Sequence, residues 1–177
     1  MAEVHVIGQI LGASDFEDTS LFLKWTINSG SSWKILEGFQ EGQTHLSTRG
    51  TFEQGHSWSH PIDVHYVTQS LQGWPRFEFQ VWGVDWLGKC NISAYGFMNI
   101  PGRPGFRRLT CSTWRPVGDL RRRIIDYITG YRIQIVDPSD IICNGFNRQS
   151  IQSLSMGTIE VELNVVLRGF DKYGVDI

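Results

Sequence analysis

Apolar and polar side chains alternate with a period of two along most of this chain. The pattern is clearest in RFEFQVW (residues 76–82), where Phe77, Phe79 and Val81 are the alternate apolar residues, and it recurs in TIEVELNVVL (residues 158–167). Successive side chains of a strand point to opposite faces, so this alternation is typical of strands that bury one face. The sequence therefore predicts a β protein whose core is built from alternate residues.

Further candidate strands show the same alternation between turn residues. They span residues 4–12, 21–27, 33–36, 43–48, 62–67, 91–100 and 106–111. Residues 33–36 and 43–48 are expected to form a hairpin around Gly38. Many short strands with few helical segments favour an all-β antiparallel sandwich of about eight strands over βαβ units. A length of 177 residues favours one domain, covering residues 1–177.

One segment breaks the period of two. The run DLRRRIIDYI (residues 119–128) spaces its apolar residues as a helix does, and these are Leu120, Ile124, Tyr127 and Ile128. Asp119 is a suitable N-cap and Gly130 a suitable stop. The sequence predicts one short helix inserted among the strands.

Motifs for catalysis are missing from the sequence. It has no GxSxG, GxxxxGK[ST], GxGxxG or HExxH pattern, so an enzyme is not predicted and no cofactor is expected. His56, His60 and His65 lie close together, but His65 falls on a different strand phase from His56 and His60, and no Cys or Glu lies nearby to complete a metal site. Hydrogen-bonded or surface histidines explain them better than a metal site does.

The cysteines and the hydropathy pattern bear on the cellular compartment. Cys90, Cys111 and Cys143 are widely spaced and form no CxxC pair, which favours a reducing compartment over a disulfide framework. No apolar stretch is long enough to span a membrane, and the N-terminal residues do not form a signal peptide. A net charge of -2 gives no reason to expect binding to nucleic acid.

Aromatic and arginine side chains point to interactions with other macromolecules. Seven tryptophans are many for a chain of this length; some belong to the core, and the others are candidates for an interface. Seven of the twelve arginines fall within residues 103–123. They form a candidate basic interaction patch of Arg103, Arg107, Arg108, Arg115, Arg121, Arg122 and Arg123. An acidic protein surface or an anionic lipid could bind such a patch; the alternative is a solvated surface.

The acidic loops resemble those of the C2 domain, a β-sandwich known for calcium-dependent membrane binding. Residues 81–100 are similar to that family's third calcium loop and the strand after it. Where the family has three aspartates, this chain has Gly83, Asp85 and Asn91, and Ser20 replaces an earlier aspartate. Calcium needs six to eight oxygen ligands, mostly from carboxylates. The resemblance therefore implies a C2-like frame with degenerate calcium positions and no bound metal; Asp15, Glu17 and Asp18 are expected in a solvated loop.

Linked motifs along the whole chain resemble the B9 domain, a divergent relative of the C2 domain. They are GWPRFEFQVW (residues 73–82), AYGFMNIPGRPG (94–105), TWRP (113–116) and LRGFDKYGV (167–175). The opening MAEVHVIGQI, EGQT (41–44) and WSHPIDVH (58–65) are similar to a short member of the family that is little more than the domain.

The resemblance to the B9 domain implies a location and a set of partners. Family members sit on the cytoplasmic side of the ciliary transition zone and basal body, with cytoplasm, cytoskeleton and centrosome as related compartments. They belong to the tectonic-like (Meckel syndrome) complex, which supports ciliogenesis, the ciliary diffusion barrier and Hedgehog signalling. B9 domain-containing protein 1, the Meckel syndrome type 1 protein and other transition-zone subunits are the expected partners. The alternative is a calcium-independent module that binds anionic membranes.

Overall fold

Ten β-strands make up the computed structural model, which describes residues 1–50, 55–117 and 152–170. The strands are β1 (Ala2–Ser14), β2 (Ser20–Asn28), β3 (Trp33–Gly38), β4 (Glu41–Gln43), β5 (Ser47–Thr48), β6 (Gly55–Thr68), β7 (Arg76–Val84), β8 (Cys90–Asn99), β9 (Gly105–Pro116) and β10 (Ser153–Arg168). The all-β prediction is confirmed. The predicted helix at residues 119–128 lies outside the described residues. Within them, no helix has the length and apolarity needed to cross a membrane.

The strands form one continuous antiparallel hydrogen-bonded path, β3-β6-β1-β10-β9-β8-β7-β2-β4, which folds over at a corner between β9 and β8 into two facing layers, called sheets below. One sheet has the order β3-β6-β1-β10-β9, and the other has the order β8-β7-β2-β4, with β5 also paired to β2. β8 and β9 join the sheets through only two residue pairs, Tyr95 with Trp114 and Gly96 with Thr113. The corner is therefore narrow, and most of β9 pairs with β10 alone among the described strands.

A single hydrophobic core lies between the two sheets. Phe77, Phe79 and Val81 of β7 are fully buried, as their alternation predicted. Ile62, Val64 and Tyr66 of β6 are buried in the opposite sheet, and the alternate residues of β10 complete that layer. A polar contact also crosses the core, because the indole Nε1 of Trp58 on β6 donates to the Leu21 carbonyl at 3.3 Å. Facing apolar layers of this kind hold the two sheets together.

The predicted hairpin around Gly38 is wrong. β3 pairs with β6 in one sheet, whereas β4 pairs with β2 in the other, so the chain crosses between the sheets after Gly38. The segment predicted as one strand at 43–48 also divides into β4 and β5, and this adds to the predicted number of strands. A glycine between two short apolar runs fits a hairpin and a crossover equally well, because partner choice depends on residues distant in sequence.

Candidate functional site

Asp85, the aspartate retained in the calcium-like loop, is engaged by its own loop. Its Oδ1 accepts hydrogen bonds from the backbone N–H of Leu87 at 2.9 Å and of Lys89 at 2.8 Å. Gly88 makes this tight turn possible with a φ of 77°, a conformation that glycine adopts without strain. The carboxylate therefore stabilises the turn between β7 and β8.

The other calcium-like positions also bind within the protein. Ser93 Oγ donates to Asp18 Oδ2. Asp18 fills the space above Gly83, where an added Cβ would lie 2.8 Å from the Asp18 Cγ. Ser20 Oγ lies 3.1 Å from Thr48 Oγ1, and Asn91 pairs with Gly83 in the sheet. These residues meet at one end of the sandwich, but hydroxyl groups and a glycine stand where carboxylates would be needed to bind calcium tightly.

The three histidines singled out in the sequence occupy different surroundings. His56 is buried, and its two ring nitrogens lie 3.0 Å from the Ser47 carbonyl and 3.2 Å from the Asp18 carbonyl. His60 packs edge-on against Trp25, and its pKa is lowered by burial and by nearby His45. His65 stacks on His5 with ring centroids 5.0 Å apart. In the described residues, no three His, Cys, Asp or Glu side chains are placed to hold a metal ion.

The structure separates the arginines of the predicted basic patch. Arg103 lies in the β8–β9 loop, and Arg107, Arg108 and Arg115 lie on β9. Arg108 is paired: its Nη2 donates to Glu160 Oε2 at 2.6 Å, and its Nη1 lies 3.9 Å from Glu162 Oε1. The hydrogen bond to Glu160 raises the pKa of Arg108 above its usual value. Arg121, Arg122 and Arg123 lie outside the described residues.

The tryptophans fall into a core group and an outer group. Trp25, Trp33 and Trp58 are buried between the sheets. Trp82 and Trp114 instead join a second apolar cluster around Ile92 and Tyr95, which face away from the main core. Both outer indoles have buried N–H groups without a hydrogen-bond acceptor among the described residues. The sheet formed by β8, β7, β2 and β4 is therefore apolar on both faces near β8.

Several apolar side chains are exposed at positions that the sequence patterns did not predict. Trp86 and Leu87, at the tip of the β7–β8 loop, are 91% and 69% exposed. Phe39, between β3 and β4, is 80% exposed, and Phe106, at the start of β9, is 68% exposed. Adjacent apolar residues at a glycine-containing turn, as in WLG, could have suggested the first of these sites. Contiguous exposed apolar groups mark interaction surfaces, whereas apolar side chains exposed singly are ordinary, so the adjacent Trp86 and Leu87 are the stronger candidate.

Comparisons with known proteins give one consistent family. The B9-C2 family model, described as "Ciliary basal body-associated, B9 protein", matches residues 4–166. B9 domain-containing protein 2 of Homo sapiens is 46% identical over 176 residues, which cover 99% of both chains. The Drosophila melanogaster protein of the same name is 38% identical over 181 residues, again with 99% of both chains covered.

More distant matches include a second kind of B9 protein and a solved structure. B9 domain-containing protein 1 of Xenopus laevis is 27% identical over 173 residues, covering 97% of this chain and 87% of the relative. The C2A domain of plant extended synaptotagmin 1 aligns with 93% of each chain at 13% identity, with a TM-score of 0.47.

Proposed function

The chain belongs to the ciliary basal body-associated B9 protein family, and we propose that it is a non-enzymatic assembly subunit that links other B9 proteins at the ciliary transition zone. The family match covers nearly the whole chain, and this is the observation that carries the proposal. A family described as basal body-associated belongs at the base of the cilium. The proposed complex is the tectonic-like (Meckel syndrome) assembly, and the proposed side of the membrane is the cytoplasmic one.

The proposed partners are B9 domain-containing protein 1 and the Meckel syndrome type 1 protein. The first is itself similar to this chain over most of its length, so both share one kind of domain. In this assembly the chain would support ciliogenesis, the diffusion barrier for ciliary membrane proteins and Hedgehog signalling. Exposed Phe106 supports a binding role, because burying large aromatic side chains stabilises protein–protein interfaces.

A pairwise pull-down tests the bridging role. The purified chain is mixed with B9 domain-containing protein 1, with the Meckel syndrome type 1 protein, and with both. The expected result is a three-member complex that forms only when this chain is present. Direct binding of the two partners without it would contradict bridging. Failure of well-folded chain to bind either partner would contradict the assembly role altogether.

A second candidate function is calcium-independent docking on a membrane. The observation that favours it is the β7–β8 loop tip, where Trp86 and Leu87 are exposed next to Lys89. An added Cβ at Gly88 would meet no atom within 4 Å, so the tip stands away from its surroundings. Tryptophan favours the headgroup region of a bilayer because its indole is apolar at one end and polar at the other.

Sedimentation with vesicles of phosphatidylcholine and phosphatidylserine tests membrane docking. The assay runs in EGTA, so that any binding is independent of calcium. Trp86→Ser with Leu87→Ser should abolish sedimentation if the loop inserts, and Phe39→Ser is the matched exposed-aromatic control. Changing Arg121, Arg122 and Arg123 to Glu, and separately adding salt, measures how much of the vesicle binding is electrostatic. Absence of binding by the unaltered chain at physiological salt would eliminate this candidate.

A further inference from the structure

The predicted basic patch reduces to two available arginines in the described part of the chain. Arg108 is held by Glu160 and Glu162 on the neighbouring strand. Arg115 is half-buried and is already in contact with other groups. Arg103 and Arg107 are exposed and form no ion pair with any described residue. Their charges are free to meet an acidic group from outside the chain.

Among residues 1–50, 55–117 and 152–170, the strand that carries Arg107 has one edge without a paired strand along part of its length. β9 pairs with β10 from Gly105 to Pro116, but β8 pairs with its other edge only at Thr113 and Trp114. One side-chain contact extends further, because Cys111 Sγ donates to the Phe97 carbonyl of β8 at 3.3 Å. Between residues 105 and 110, no described strand therefore pairs with this other edge of β9. The backbone N–H and C=O groups of such an edge can accept an added strand.

The exposed side chains on β9 favour an occupant that lies along this edge. Phe106 is 68% exposed and shares the outward face of β9 with Arg108. Arg107 points to the opposite face, in phase with buried Cys111. A partner lying flat on one face would contact only Phe106 or only Arg107. A strand added along the edge presents side chains to both faces, so it can contact both residues.

We propose that the edge of β9 from Gly105 to Thr110 binds an extended acidic segment of a partner protein. The segment adds a strand beside β9, packs an apolar side chain on Phe106 and pairs its acidic groups with Arg103 and Arg107. A second copy of this chain fits the edge poorly, because pairing two copies of β9 would bring arginine close to arginine. The inference rests on the proposed assembly role and names the surface that performs it.

Affinity measurements with matched variants test whether the edge of β9 binds a partner protein. The full chain is titrated separately with B9 domain-containing protein 1 and with the Meckel syndrome type 1 protein. Arg107→Glu and Phe106→Ser should each weaken binding to one of them by about tenfold or more. Arg108→Gln and Phe39→Ser are the controls, and each should change the affinity by less than about twofold. Circular dichroism verifies that every variant is folded.

The outcomes separate the two proposals. If the unaltered chain binds neither partner, both the assembly role and this edge site are wrong. If it binds a partner and the Arg107 and Phe106 variants bind equally well, only the edge site is wrong. Equal losses from the control variants would also overturn the edge site, because the effect would then not be local.

Hydrogen exchange tests the strand addition itself. In the complex, the backbone amides of residues 105–110 that face the open edge should exchange more slowly than in the free chain. Protection confined to other strands would overturn the proposal. So would self-association of the chain through this edge, or Arg107-dependent binding to phosphatidylserine vesicles without any effect on partner affinity, since each assigns the edge to a different occupant.

Discussion

At the scale of single residues, two aspartates that could bind calcium are held instead by hydrogen bonds within the protein. Asp85 has the charge and position of a calcium ligand, but two backbone N–H groups of its own loop bind its carboxylate. Asp18 is likewise bound by Ser93 and lies against Gly83. To bind calcium tightly, the site would need further carboxylates, and Gly83 and Ser20 do not supply them.

Calcium is therefore expected to leave the stability of the chain unchanged. Adding about 1 mM calcium should shift the melting temperature by less than about 1 °C, because a ligand stabilises only the state that binds it. Differential scanning fluorimetry with calcium, magnesium or EGTA makes the comparison. A rise of several degrees that is specific to calcium and reversed by EGTA would show a working site.

Cys111 and Cys90 should react very differently with thiol reagents. Burial raises the pKa of the Cys111 thiol to about 11, and the thiol donates a hydrogen bond to the Phe97 carbonyl. At pH 8, that pKa leaves about one Cys111 thiol in a thousand ionised, and the thiolate is the reactive form. Cys90 is exposed. Peptide mass spectrometry after N-ethylmaleimide treatment should find Cys90 labelled rapidly and Cys111 labelled only in denaturant; equal rates would contradict the buried placement.

At the scale of elements, the close pairing of β1 with its neighbours leaves no room for a side chain at Gly8. β1 lies between β6 and β10, so both of its edges are paired. An added Cβ at Gly8 would overlap the backbone carbonyl oxygen of Glu162 and lie 3.0 Å from the Leu163 Cα. The small residue therefore permits the close approach of two central strands.

Gly8→Ala should lower the free energy of unfolding by about 1–3 kcal/mol, because the backbone of β1 or β10 has to move. Gly102→Ala is the matched control, since its new Cβ would meet only Trp74 Cζ2 at 4.0 Å. Both changes restrict the unfolded chain similarly, so their difference reports the folded state. Urea denaturation of the two variants measures it, and similar midpoints would contradict the close approach.

At the scale of the whole molecule, the two sheets depend on one shared core. Phe79 is fully buried and stacks on Phe77 with ring centroids 5.4 Å apart. The main cluster takes its members from both sheets, so neither sheet can bury its inner face alone. Loss of packing in one sheet is therefore expected to destabilise the other.

Phe79→Ala should cost about 3–5 kcal/mol of stability, the usual range for removing a buried phenyl ring. Phe39→Ala, at an exposed phenylalanine, should change stability by less than about 0.5 kcal/mol. Tryptophan fluorescence and far-ultraviolet circular dichroism should follow the same urea transition in the unaltered chain. Two separate transitions would show that the sheets unfold independently.

Local pattern determined the strands and the family of this protein. Alternation placed Phe77, Phe79 and Val81 in the core before any partner strand was known, because side-chain direction along a strand depends only on the chain itself. The linked motifs likewise identified the B9 family, and the comparisons confirm it. Asp18, expected in a solvated loop, instead contacts Ser93, a residue distant in sequence.

Only the tertiary structure decided which strands pair and which side chains remain free. The crossover after Gly38 and the narrow contact of β8 with β9 depend on partners far away in the sequence. The same holds for the arginines: Arg108 is paired with Glu160, 52 residues later, whereas Arg107 beside it forms no ion pair with any described residue. Adjacent residues of one type differ in this way because a strand sends them to opposite faces, and only the assembled sheets determine what each face meets.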